Sequence, residues 1–221
     1  SVEGRAMKSK PAQILLREVS PRDGLQNEPT PVPTAAKVAL VDHLSRAGLP
    51  YIEVSSFVDP RWIPQLGDAE QVFQGIERKP GIRYSALVPN MRGLGRAREV
   101  NLESIAVFVS ASETHNHKNL NRSIDESLDN IAEMMADLEG SGTWVRGYVS
   151  MVFGCPYEGD IGSSDVVSVA NRLIELGVDQ VSLGDTVGYA NPRQVTERMA
   201  AVGSEIDLLI ERARTSIDQA C

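Results

Sequence analysis

Strand-like and helix-like segments alternate six times along these 221 residues, and that alternation limits the possible folds more than any other feature. "ILLREV" (14–19) precedes "TAAKVALVDHLSRAG", and "YIEVSSF" (51–57) precedes a helix around "DAEQVFQGIE". "IRYSALV" (82–88) leads to "RGLGRAREV", and "SIAVFVS" (104–110) leads to the longest helix. "WVRGYVSMVF" (144–153) is followed by "DVVSVANRLIELG", and "QVSLGDT" (180–186) by "NPRQVTERMAAV". Strands separated by helices run parallel, joined by right-handed crossovers. They read as apolar with little alternation, as expected of strands covered by helices. Thr34 and Ser164 are expected N-caps, Ser123 with Glu126 forms a capping box, and Gly48 and Gly140 stop their helices.

Two architectures satisfy this pattern, a doubly wound open sheet and a (β/α)8 barrel. The polar residues separate them. They recur at the expected strand ends: Arg22–Asp23, Glu53–Ser55–Ser56, Ser110–Glu113, Arg146–Tyr148 and Ser182–Asp185–Thr186. Groups arriving from many strands suit a barrel rim, whereas an open sheet gathers them at one switch point. The expected fold is therefore α/β, of the (β/α)8 TIM-barrel type but incomplete, with about six of the eight units. Those units occupy 14–202, after an extension (1–13) and before a tail (203–221).

Composition narrows the partners. Hydrophobic content of 42% and charged content of 24% are ordinary for a globular chain, and a net charge of −8 weighs against nucleic acid or an anionic membrane. No apolar run is long enough to span a membrane, and "SVEGRAMKSK" has no apolar core of a secretory signal. Cys155 and Cys221 make no disulfide framework and fit a reducing compartment. The expected location is a bacterial cytoplasm, or the mitochondrial matrix in a eukaryote.

The chemistry is expected where the strands end. Asp23 offers the oxygen that a hard divalent cation wants, and Arg22 beside it suits a developing oxyanion. A local salt bridge closing the strand is the competing reading of that pair. Glu53 places a carboxylate inside an apolar strand, where an unpaired charge costs several kcal/mol, so Arg22 or Arg146 is its expected partner. Asp185 repeats the pattern in "SLGDT". His115 and His117 form an H-x-H within "ETHNHKNLN", read as a solvated loop, and His43 falls on the outer face of the first helix. Cys155 has no histidine near it in sequence and reads as a packed thiol. Gly93 and Gly95 do not make a G-x-G-x-x-G fingerprint.

"EVSPRDGLQNE", "IEVSSFVDPRWIPQLGDAEQV", "VRGYVSMVFGCPYEGDI" and "VSLGDTVGYANP" strongly resemble the hydroxymethylglutaryl-CoA lyases, which belong to a wider group of metal-dependent barrel lyases and synthases. The resemblance implies retro-Claisen cleavage of 3-hydroxy-3-methylglutaryl-CoA to acetyl-CoA and acetoacetate, with Mg2+ or Mn2+ as cofactor. By similarity Asp23 is a metal ligand, Arg22 is catalytic, and Glu53 and Asp185 are active-site acids. Gln26, Ser56, Asn119, Arg146, Tyr148 and Ser182 match substrate-lining positions. The implied partners are an acyl-CoA substrate and copies of the same chain, with neither nucleic acid nor membrane.

The sequence also departs from that pattern. The family's further ligands, a His-x-His on a seventh strand and an asparagine on the eighth, have no counterpart here, nor has its reactive cysteine, whose role Cys155 does not inherit. Little or no lyase activity is expected of these 221 residues, with an inactive, associating chain or a related acyl-CoA lyase or synthase as alternatives. The tail "GSEIDLLIERARTSIDQAC" reads as an amphipathic helix through Ile206, Leu209 and Ile210. A shifted reading frame is the other expectation for it: with suitable codons, Arg214–Ile217 read one base earlier encode His-Phe-His.

Overall fold

The computed structural model describes residues 15–203. Five parallel strands form one sheet in the order β1 (Tyr51–Ser56), β2 (Arg83–Leu87), β3 (Ser104–Ser110), β4 (Trp144–Ser150), β5 (Gln180–Leu183). Between them run α1 (Thr34–Arg46), α2 (Ala69–Gly75), α3 (Met91–Glu99), α4 (Glu113–Leu120), α5 (Ile124–Asp137) and α6 (Ser163–Glu175), with α1 ahead of β1. Residues 192–203 are again helical. The extension and the tail beyond Gly203, including its expected helix and the His-Phe-His reading, lie outside the described residues.

The first expected strand, 14–19, is shorter than the sequence suggests. Its described part holds a single parallel bridge, in which the Glu18 N–H donates to Tyr51 O at 3.0 Å and Glu53 N–H to Glu18 O at 2.7 Å. The chain then winds into a π-helical turn, Ser20–Gly24, with Pro21 in its first turn. Counting that bridge, six segments stand side by side in chain order.

Sequential order with every crossover alike belongs to a barrel wall, since a doubly wound sheet reverses direction at a switch point. Curvature supports the same conclusion. β1 and β4 are three strands apart, about 14 Å in a flat sheet. Yet the Tyr148 hydroxyl reaches the Glu53 carboxylate at 2.8 Å, and the Tyr51 and Trp144 rings meet edge-on with centroids 6.1 Å apart. Only a strongly curled sheet brings them together. The fold is an arc of a (β/α) barrel.

The strands do alternate, contrary to their apolar reading. Ile52, Val54, Ala86, Ile105, Val107, Val145 and Val149 belong to the buried core beneath the helices. Their neighbours Tyr51, Glu53, Ser85, Ser104, Arg146 and Tyr148 point to the concave side. Packing on the outer side is close: a methyl added at Gly147 would lie 3.0 Å from Leu173 of α6.

Two expected caps are corrected. Thr34 is the first residue of α1 rather than its N-cap, which is Pro33, and its hydroxyl donates to Asp68 at 2.6 Å. Ser164 lies inside α6, whose N-cap is Gly162. The Ser123–Glu126 capping box forms in full, with bonds of 3.0 and 2.8 Å. Gly48 follows α1 with φ +78°, a conformation open to glycine.

Candidate active site

A buried carboxylate organises the concave side. Glu53 is fully buried, an arrangement that an isolated charge would not survive. Arg22 Nε donates to its Oε1 at 2.6 Å, and Tyr148 Oη donates to its Oε2 at 2.8 Å. The π-helical turn makes this possible by folding Arg22 back over β1. Its Nη1 also donates to Asp23 at 2.6 Å. Burial works against the Arg22 cation, but Glu53 and Asp23 outweigh it and hold its pKa above the ordinary value. Burial, reinforced by the Glu53 charge, raises the pKa of Tyr148 and pushes Tyr51 up to about 12. Both phenols therefore stay protonated at neutral pH.

Arg146 lies in the first half of β4, not at its end. Its guanidinium stacks on Tyr148, 4.9 Å from the ring centroid, and donates to Gln180 at 3.2 Å and Ser182 at 2.8 Å. Of the two expected partners of Glu53, Arg22 makes the pair and Arg146 does not, with Tyr148 between the two clusters. The pair Arg22–Asp23 is indeed a salt bridge, but one that continues into Glu53.

Other candidate residues stand apart from this network. Asp185 accepts from the N–H groups of Tyr189 at 2.9 Å and Ala190 at 3.1 Å, bracing the loop beyond β5. Ser56 donates to Leu87 O and accepts from Val58 N–H, both at 3.3 Å. Asn119 is exposed on the last turn of α4. Gln26 keeps a buried Oε1 without a hydrogen-bond partner.

The H-x-H segment is helical rather than a loop: Ser112 caps α4 through the His115 N–H. Histidines two apart on a helix diverge by about 200°. His115 turns to Ser110 Oγ at 3.1 Å, while His117 lies near Glu113. Gly93 and Gly95 also lie within a helix, α3. Cys155 is buried, its sulfur accepting from Ser112 Oγ at 3.0 Å.

The sequence reading missed two contributors. Gln180 sits two residues before Ser182, the same spacing as Arg146 and Tyr148, so its period already placed it on the concave face. Met151, just past β4, holds φ +60°, and its N–H donates to Thr186 Oγ1 at 3.0 Å, tying the loops after β4 and β5 together.

A divalent cation at Asp23 would need several oxygen ligands. Among the described residues no group of three His, Cys, Asp or Glu side chains could hold a metal. One Asp23 carboxylate, exposed and already bonded to Arg22, does not make a metal centre by itself.

A family model described as HMGL-like matches residues 13–217. Hydroxymethylglutaryl-CoA lyase YngG of Bacillus subtilis is 48% identical over 192 residues, covering 87% of this chain and 64% of that protein. The mitochondrial hydroxymethylglutaryl-CoA lyase of Bos taurus is 45% identical over 196 residues, covering 89% and 60%. The crystal structure of hydroxymethylglutaryl-CoA lyase from Pseudomonas aeruginosa superposes with a TM-score of 0.86 at 45% identity, covering 89% of this chain and 65% of that one. An Acinetobacter baumannii HMG-CoA lyase solved with coenzyme A and 3-methylmalate gives a TM-score of 0.83 at 43% identity, covering 86% and 62%. The chain spans less than two thirds of the length of these proteins.

Proposed function

This chain belongs to the HMGL-like family, and from that premise we propose that it is a carbon–carbon lyase acting on 3-hydroxy-3-methylglutaryl-CoA, releasing acetyl-CoA and acetoacetate. The observation that carries the reading is the buried Glu53 carboxylate held between Arg22 and Tyr148. The reaction removes the proton of the C3 hydroxyl, breaks the adjacent C–C bond and leaves negative charge on the acetyl-CoA enolate, which then takes a proton. Arg22, partly exposed and fixed by Glu53, presents a permanent cation to that enolate. Glu53 keeps the guanidinium oriented, and Tyr148 supplies the second hydrogen bond that lets the carboxylate remain buried.

Arg146, Ser182, Gln26, Ser56 and Asn119 are assigned to substrate contact, and Asp185 to the active-site acids. Mg2+ or Mn2+ is the proposed cofactor and Asp23 its one ligand among the described residues. That single ligand favours a second reading, a chain that binds the thioester but turns it over slowly. The compartment follows the source, cytoplasm in a bacterium or mitochondrial matrix in a eukaryote.

Acetoacetate release from 3-hydroxy-3-methylglutaryl-CoA, measured with added Mg2+ or Mn2+ beside calorimetric binding of the thioester, tests both readings. Release that disappears in Arg22→Gln supports the lyase. Binding without release supports the second reading, and neither binding nor release defeats both.

A further inference from the structure

The opposite end of the sheet carries a separate cationic cluster. Arg17, just before the Glu18 bridge, stacks on Tyr51 and Trp144, its Cζ 4.6 and 5.4 Å from the ring centroids. Arg83, the first residue of β2, covers Trp144 at 4.2 Å. Stacking occupies the flat faces of these guanidiniums and leaves their N–H edges free to donate. Among the described residues, neither arginine forms an ion pair with a carboxylate.

A cavity of about 640 Å³ opens beside Trp144, between the segments that enter β2, β3 and β4. Arg78, Lys79, Arg83 and Glu103 line it. Arg78 already donates to Asn101 O at 2.8 Å and Val100 O at 2.6 Å, and Lys79 pairs with Glu77 at 3.5 Å, so Arg83 brings the uncommitted cation. Its wall also holds Ser104, 1% exposed, whose Oγ has no hydrogen-bond partner. A guanidinium donates and cannot accept, so the complement of the Arg83 edge is an acceptor bearing negative charge. Arg17 is held below its ordinary pKa by burial and by the Arg146 charge, and a bound anion would relieve that repulsion.

We propose that this cavity is an oxyanion site, in which the free edge of Arg83 and the Ser104 hydroxyl bind a phosphate or similar group while Arg17 adds long-range charge. The site lies at the N-terminal ends of the strands, away from Arg22 and Asp23, and does not depend on the lyase reading.

The experiment compares thermal melting of the whole chain in inorganic phosphate and in sodium chloride at equal ionic strength. Phosphate is expected to raise Tm by about 2–4 °C in a saturable way, with the gain lost in Arg83→Gln. An equal rise in chloride, or a full rise retained in Arg83→Gln, means an ionic-strength effect only and overturns the site. Phosphorus NMR gives a second readout independent of the variant's folding. The wild-type chain should broaden the phosphate line and sulfate should restore it, whereas an unbroadened line overturns the proposal.

Discussion

Glu53 shows how one charge sets its neighbours. A carboxylate with no exposure is stable in a sheet only if both oxygens are engaged, and Arg22 and Tyr148 take one each. Replacing Arg22 by Gln should cost about 3–5 kcal/mol, because it strands a buried charge. Adding Glu53→Gln should recover most of that loss. Urea unfolding of the single and double variants checks it, and a double variant no more stable than Arg22→Gln would refute the account. Tyr51 supplies a pH-dependent test. Its pKa rises from 10.0 to about 12 on folding, through burial first and the Glu53 charge second. A raised pKa favours the protonated fold, so the contribution is fully present below pH 10 and fades as pH climbs toward 12. Its size is about 2–3 kcal/mol. Tyr51→Phe should flatten the loss of stability across this window, as read by melting alongside tyrosinate absorbance. An unchanged alkaline slope in Tyr51→Phe would count against it.

At the scale of elements, the sequence was most legible where the signal is local. The capping box at Ser123 needs only residues three apart, and it forms as read. Ser123→Ala should therefore cost about 1 kcal/mol, with helix α5 fraying first in hydrogen exchange. Protection of the first turn of α5 equal to that of the parent would contradict this. Thr34 shows the opposite case. Its residue type suits a cap, but tertiary packing recruits its hydroxyl to Asp68, where Lys37 Nζ also donates at 2.6 Å. The H-x-H segment failed for a similar reason: polarity suggested a loop, while the Ser112 cap and the buried Asn116, whose Oδ1 accepts from Ser110 N–H at 3.0 Å, make it a helix. Arg22 and Glu53 were legible as candidates because a charge in an apolar strand demands a partner. Which arginine answers was not, since that depends on the π-helical turn after Val19, a backbone detail with no residue signature beyond Pro21.

At the scale of the molecule, the sheet combines a closed outer layer with an open inner one. Helices bury the convex face, while the concave face carries Glu53, Arg146 and Tyr148. Among the described residues β5 pairs on one side only, with β4. All four of its residues are partly exposed, and Val187, Tyr189, Val195 and Met199 are exposed in the segment that follows. At the other edge, Leu15 and Leu16 are exposed beside the Glu18 bridge. Unpaired strand edges flanked by apolar side chains recruit further strands. A net charge of −8 keeps such contacts soluble but is screened beyond about 8 Å at physiological salt, too short a reach to hold two edges apart. The 221-residue chain is therefore expected to self-associate, sedimenting as species larger than its 24.0 kDa monomer and growing with concentration. Val195→Lys with Met199→Lys should shift the distribution toward the monomer by placing like charges on the exposed apolar face of the helical segment after β5. Sedimentation velocity decides the matter: a single 24.0 kDa boundary across the micromolar range, in the parent chain and the variant alike, would rule this association out.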